Sequence, residues 1–289
     1  MIVDVHCHAW RHDMDFAPGY IENARRVRNS PHVDFSAPQQ RYIDNAPPDT
    51  QAIVFGGKAR LAGIWVDDGY VANVVASDPD RLTGFLAVDP TQDGWERELR
   101  YGHQELGLCG VKLLPMYAGF RADDPKLDPF WDYTQSHGLP VLLHTGTTHV
   151  PQAPLECTLP RRLDDVAMRY PEQRIIMAHL GHPYESECIV VARKHVHVYA
   201  DISALYYRPF QLFHSLMLAQ EYGVWHKLLF GTDYPVTTVN GTIAGLRSLN
   251  KMVEGTPMPH LDETEIEAMI HRDALAELGL RKEVATNDR

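Results

Sequence analysis

Cysteine is scarce in this chain, and positive charge is in deficit. Four cysteines (Cys7, Cys109, Cys157, Cys188) lie scattered along 289 residues, with no CxxC pair and no dense framework. That excludes a disulfide scaffold and fits a reducing, cytoplasmic compartment. Cys7 and Cys109 lie in or beside apolar strand candidates and read as small core residues rather than nucleophiles. Lys and Arg number 27 against 38 Asp and Glu, a formal net charge of −11. This balance argues against a nucleic-acid phosphate partner and against an anionic membrane surface. It leaves an anionic small molecule open, because a local arginine or a metal can dominate one pocket. No apolar stretch approaches the roughly 20 residues that span a bilayer. The N-terminus lacks a basic region, so no signal peptide is expected. Internal repeats, low-complexity tracts and linkers are also missing, and residues 1–289 are expected to form one domain.

What the chain does have is a rhythm. Short apolar runs fall at 2–8, 52–55, 84–88, 111–114, 141–144, 175–179, 198–202 and 228–231. Their continuous apolar character suits strands buried on both faces. Helix-compatible stretches lie between them at 66–77, 92–106, 126–137, 161–170, 185–195, 209–222 and 240–253, with a last one near 263–279. Eight alternating units predict an α/β fold of the closed (β/α)8 TIM-barrel type. An open doubly wound sheet would usually carry a Gly-rich phosphate turn after the first strand, and His8-Ala9-Trp10-Arg11 is not one. Residues 10–48 are irregular and rich in Arg, Asn, Asp and Pro, with short helices expected around 19–28 and 38–45. They read as a long insertion after strand one, on the rim that carries the histidines, as a lid, binding loop or simple cover. The polar tail 281–289 is expected to fray.

Polar residues interrupt these runs where buried strands should not need them. His6 and His8 sit two apart in the first strand, so both imidazoles face one way and Cys7 the other. Neutral imidazoles so paired suit a divalent metal such as zinc. Lys112 sits in strand four, His144 ends strand five, His179 ends strand six, and Asp233 follows strand eight. Singly, each has a structural alternative as a hydrogen-bonded core or capping group. In a (β/α)8 barrel the C-terminal strand ends converge on one rim, where active sites lie. Histidines plus one carboxylate converging there form a zinc-type ligand set with room for water.

Four segments carry a resemblance: Asp4-Val5-His6-Cys7-His8, Pro140-Val141-Leu142-Leu143-His144-Thr145-Gly146, Ala178-His179-Leu180-Gly181 and Phe230-Gly231-Thr232-Asp233-Tyr234-Pro235. Together, and in this order, they resemble the amidohydrolase superfamily. The branch resembled is the amidohydrolase-related group of TIM-barrel metal-dependent hydrolases, which also holds the aminocarboxymuconate-semialdehyde decarboxylase type. The resemblance implies one divalent metal on His6, His8, His144 and Asp233, with His179 acting on substrate or water. Zn2+ is the leading candidate; Mn2+, Fe2+ and Co2+ fit the same donors. In binuclear members a carboxylated strand-four lysine bridges two metals and both later histidines bind the second. Lys112 stands at a compatible position, although a lysine can instead remain an ammonium that binds a substrate carboxylate.

The leading expectation is hydrolysis of a small carboxylate-bearing or cyclic substrate (lactone, amide or ester). Asp233 would accept the water proton and pass it to the leaving group, and His179 would orient water or stabilise the oxyanion. The alternative is non-oxidative decarboxylation of a small aromatic or unsaturated acid. There Lys112, Arg208 or an insertion arginine (Arg11, Arg25, Arg26, Arg41) would hold the carboxylate. Tyr206 and Tyr207, with Trp10 and Tyr117, would line a pocket for a flat ring. A metal-binding barrel without activity is the third reading. His182 reads as a surface loop residue near the rim. His12, His32, His103, His137, His149, His195, His197, His214, His226, His260 and His271 are assigned no chemistry. Asp201 is expected to hydrogen-bond a ligand histidine, and Ser203 to contact substrate. Where the family usually shows Asn-Ala in the final helix, His271-Arg272-Asp273-Ala274 stands here. The expected partner is a small molecule, and homo-oligomerisation is left open.

Overall fold

The structure is a computed structural model and describes residues 1–281. Eight parallel strands form the barrel wall: β1 (Ile2–His8), β2 (Thr50–Phe55), β3 (Leu82–Ala87), β4 (Val111–Leu113), β5 (Val141–Leu143), β6 (Ile175–Met177), β7 (Val198–Asp201) and β8 (Leu228–Leu229). They pair in sequence order. The ring closes between β8 and β1 through three backbone bonds: Val5 N–H to Phe230 O (3.0 Å), Asp233 N–H to His6 O (2.8 Å) and His8 N–H to Tyr234 O (3.0 Å). Helices fill the connections, as the right-handed parallel crossover requires. No helix among the described residues is long and apolar enough to cross a membrane.

The β1–β2 register slips between Asp4 and Cys7, where three steps on β1 match two on β2. This is a bulge, and it reverses the side-chain parity of the strand. Below it Val3 and Val5 pack inside the barrel with Ile53, Phe55, Phe85 and Leu142. Ile2 belongs to the outer layer with Ala52 and Val54, and so does Cys7 above the bulge. His6 and His8 therefore face inward although Val3 and Val5 do too, and Asp4 faces outward. The short helix Ala274–Glu277 plugs the lumen with Ala274, Leu275 and Leu278. Asp273, in place of the usual asparagine, accepts the Ala276 N–H at the start of that helix.

Several expected elements are shorter than the apolar runs. His144 comes one residue after β5. His179 lies beyond β6 in a tight turn, where His179 and Leu180 take left-handed backbone angles. The 92–106 stretch becomes an α-helix at Trp95–Arg100 continued by a π-helical turn at Tyr101–Glu105, and 263–279 breaks into Glu263–Ile270 and Ala274–Glu277. The insertion holds helices Pro18–Arg28 and Gln39–Asn45, with a further short one at His12–Asp15. It is more than a cover: Phe16, Tyr20, Ile21, Val33 and Phe35 form a second core with Ile64, Leu114, Met116 and Tyr117. In the expected tail, Arg281 pairs with Asp273 and donates to Gln51. Residues 282–289 lie outside the described residues.

Candidate active site

A cavity of about 180 Å3 opens at the C-terminal ends of the strands. His6, His8, Lys112, His144, His179 and Asp233 line it, which brings together the strand-end residues singled out in the sequence. Asp233 occupies the centre of this group. Its Oδ1 lies 2.9 Å from His8 Nε2 and 3.2 Å from His6 Nε2. Lys112 Nζ lies 3.3 Å from His6 Nε2 and 4.6 Å from the Phe55 ring centroid.

The imidazoles are oriented from behind. Asp201, at the end of β7, accepts from His6 Nδ1 at 2.8 Å and from the His179 backbone N–H at 3.0 Å. Ser203 Oγ lies 2.8 Å from His179 Nδ1, and Ser203 O lies 3.3 Å from it. With Nδ1 so engaged on both rings, Nε2 is the nitrogen offered to the cavity. Ser203 thus serves the histidines. Close approach of the β5 loop depends on Gly146, where an added Cβ would stand 2.9 Å from His179 Cδ2.

Burial governs the protonation of the cluster. It lowers His8 to about 3 and His179 to about 4, and it holds His144 well below the usual imidazole range. Lys112 is pushed down to about 7 by the same desolvation. Burial alone would raise Asp233, but hydrogen bonds from His6 and His8 outweigh it and hold the carboxyl well below its ordinary range. His6 is the exception among the imidazoles: burial and Lys112 act to lower it, but Asp201 and Asp233 outweigh them and raise it above 6.5, so the unprotonated nitrogens around the carboxylate are those of His8, His144 and His179.

These residues fit a divalent ion. One ligand atom each from His6, His179 and Asp233 lie within 4.8 Å of one another. Two nitrogens and one oxygen suit zinc or manganese. His8 shares the Asp233 oxygen, whereas His144 Nε2 faces the Thr147 carbonyl at 3.1 Å. The compact group thus contains His179, and His144 stands at its edge.

Around the polar floor, Trp10 and Tyr117 line the cavity together with Arg208, as the sequence suggested. Trp10 stacks on His8 with centroids 3.6 Å apart. Tyr206 does not line it. Its ring packs against the helix at Gly241 and Gly245, and Tyr207, one residue on, takes the pocket position. His182 is not a surface residue: it is 6% exposed, lines the cavity, and bonds Glu185 Oε1 through Nδ1 at 2.7 Å. Of the insertion arginines, Arg11 is tied to Asp15, and Arg41 lines a separate cavity with Tyr42 and Tyr234. Arg28 reaches the pocket instead, with Tyr20, Phe35 and His149. The signal that could have found it is position: Arg28 closes an insertion helix whose buried residues are Tyr20, Ile21 and Ala24.

A barrel with histidines and an aspartate at its strand ends defines a TIM-barrel protein with a candidate metal centre. Its particular group follows from comparison: the family model described as Amidohydrolase matches residues 3–280, and the chain belongs to that family. No curated protein matches it by sequence. Among solved structures, an uncharacterised TIM-barrel protein of Bordetella bronchiseptica matches with TM-score 0.70 and 18% identity over 96% of this chain and 99% of that one. A probable 2-pyrone-4,6-dicarboxylic acid hydrolase of Acinetobacter baumannii, with citric acid bound, matches with TM-score 0.65 and 18% identity over 96% and 99%. A dihydroxybenzoic acid decarboxylase of a Polaromonas species, with manganese and 2-nitroresorcinol bound, matches with TM-score 0.63 and 18% identity over 98% of each chain. At these identities the likeness concerns the fold.

Proposed function

We propose that the chain is a metal-dependent hydrolase of a small, ring-sized, carboxylate-bearing lactone, ester or amide. The observation that carries this reading is Asp233, the one carboxylate among the described cavity-lining residues, its side chain 14% exposed while Asp201 behind His6 is fully buried. A lone ionised carboxylate at the floor is placed to take a proton from water and return it to a leaving group. His6, His179 and Asp233 would hold a divalent ion, with His8 at the same oxygen. When bound, such an ion supplies Lewis acidity that polarises a carbonyl and acidifies water.

The remaining residues bind and exclude. Lys112, Arg28 and Arg208 line the cavity, so cations outnumber its single carboxylate inside a chain of net charge −11. That local inversion favours an anionic substrate. Trp10, Tyr20, Phe35 and Tyr117 offer ring faces and keep bulk water from the floor. Ser203 and Asp201 direct His179 Nε2 towards the same floor, and with that nitrogen given to the ion, Lys112 is the cation left there to bond a developing oxyanion.

Decarboxylation of a small aromatic acid is the second reading, favoured by that aromatic wall and by Lys112 over the Phe55 ring. The two separate in one assay. Metal-loaded protein is offered carboxylated lactones, esters and amides alongside hydroxybenzoates, with acid release and carbon dioxide release followed in parallel. Hydrolysis that falls by about 10²–10⁴-fold in Asp233→Asn supports the proposal. Carbon dioxide release without hydrolysis would replace it with the second reading.

A further inference from the structure

The bulge in β1 leaves the His6 backbone N–H outside the strand ladder, and the Asp4 carboxylate takes it. Asp4 Oδ1 accepts from His6 N–H at 3.1 Å and from Thr232 N–H at 2.9 Å. Its Oδ2 accepts from Thr232 Oγ1–H at 2.6 Å and from Tyr42 O–H at 2.9 Å. The residue is fully buried, on the opposite side of β1 from the cavity. One carboxylate thus joins three pieces: the bulge that turns His6 inward, the residue that precedes Asp233, and a helix of the insertion.

The Thr232–Asp233 turn needs such a hold. Asp233 has φ +62°, a left-handed angle that costs a non-glycine residue about 1 kcal/mol or more and persists only where its surroundings fix it. Asp233 N–H is already tied to His6 O at 2.8 Å, so the two residues share a backbone link as well as the side-chain contact in the cavity. A change in the Asp4 bonds would move both together.

We propose that Asp4 is a positioning residue for the metal centre, and that Tyr42 extends its hold into the insertion, so that insertion and centre are mechanically linked. The inference rests on the metal reading above. It concerns placement alone, because Asp4 touches neither the cavity nor a ligand side chain.

Metal affinity tests it without any substrate. Chelator-stripped protein is titrated with Mn2+ in competition with an indicator, for the unaltered chain and for Asp4→Asn, Thr232→Val and Tyr42→Phe, with thermal melting of each. Asp4→Asn should bind Mn2+ about 10–100-fold more weakly, the range found when a group supporting a ligand is lost. Tyr42→Phe removes one bond to Asp4, and Thr232→Val removes another together with that hydroxyl's contacts to Tyr234 N–H and His6 O; each should weaken binding several-fold while melting cooperatively, and Tyr42→Phe decides the matter if Asp4→Asn does not fold. Melting temperatures that fall while all affinities stay within twofold of the unaltered chain would reduce Asp4 to a structural tie and overturn the inference. Failure of the unaltered chain to bind Mn2+ is a different result: it would overturn the metal reading, and this inference with it.

Discussion

Lys58 offers the sharpest test of how the rim is built. Its ammonium lies 2.7 Å from Asp68 Oδ2, with the two side chains 6% and 5% exposed. Glu98 adds a contact at 2.9 Å but is itself 38% exposed and can turn to water. Asp68 cannot: its other oxygen accepts the Ala87 N–H at 2.9 Å, at the end of β3 beside Lys112 in the ladder. Lys58→Met would leave a buried carboxylate without its cation, which costs about 3–5 kcal/mol. With a urea dependence of about 3 kcal/mol per M, the unfolding midpoint at pH 7 should fall by about 1 to 1.7 M. The sign with pH follows from Asp68. Burial already raises its carboxyl above 3.8 although Lys58 pulls it down, and losing Lys58 raises it further. A carboxyl raised in the folded state binds its proton more tightly there, so stability grows as pH falls through that raised value. Lys58 itself is raised from 10.5 and stays charged throughout, so it adds no slope between pH 5 and 7. The deficit should therefore be largest at pH 7 and smaller at pH 5. Lys58→Met/Asp68→Asn, which removes the charge and keeps an acceptor for Ala87, should recover much of the loss. A loss below about 1 kcal/mol, or one equal at both pH values, would refute the reasoning.

Two further outcomes bear on the site. Arg28→Gln should raise KM for a carboxylate-bearing substrate by about 10-fold or more with kcat little changed, since a charge-assisted hydrogen bond contributes about 1.5–3 kcal/mol; steady-state kinetics with an unchanged KM would remove Arg28 from substrate binding. Metal removal should lower the melting temperature, because an ion at about 1,000 times its Kd stabilises the fold by about 4 kcal/mol; calorimetry of stripped and Mn2+-reloaded protein giving one melting temperature would remove the ion from the site.

The barrel was legible because strands buried on both faces read as unbroken apolar runs, and His6, His8, Lys112, His144, His179 and Asp233 stood out as polar interruptions of them. The face of each residue was less legible. Tyr206 and Tyr207 are neighbours of the same type, and the turn after β7 decides which of them meets the cavity. His182 follows the left-handed pair His179 and Leu180, whose backbone curls the chain back over the barrel instead of out to solvent. The β1 bulge left no trace, since Val-Asp-Val-His-Cys-His alternates acceptably with or without it. Arg28 and Phe35 were hidden for another reason. They belong to an insertion whose inward face is set by docking on Leu114, Met116 and Tyr117, contacts distant in the chain.

That docking gives the insertion two duties, carried by different residues. Its residues Tyr20, Arg28 and Phe35 form one side of the pocket, where substrate shape is read. Its residues 37–42 grip the barrel seam: Gln39 Nε2–H donates to His8 O at 2.6 Å, Tyr42 O–H donates to Asp4, and Pro38 O accepts from Tyr234 O–H at 3.1 Å. The first group lies over the second core and the second group over β1 and the turn after β8, with Trp10, edge-on to Phe35 and stacked on His8, standing between them. Pocket residues such as Phe35 can therefore change while the seam contacts keep His8 and Asp233 in place. The reverse does not hold, because loosening Gln39 or Tyr42 would disturb the floor on which any substrate must sit. Variation in specificity should accordingly be tolerated at 20–35 and resisted at 37–42.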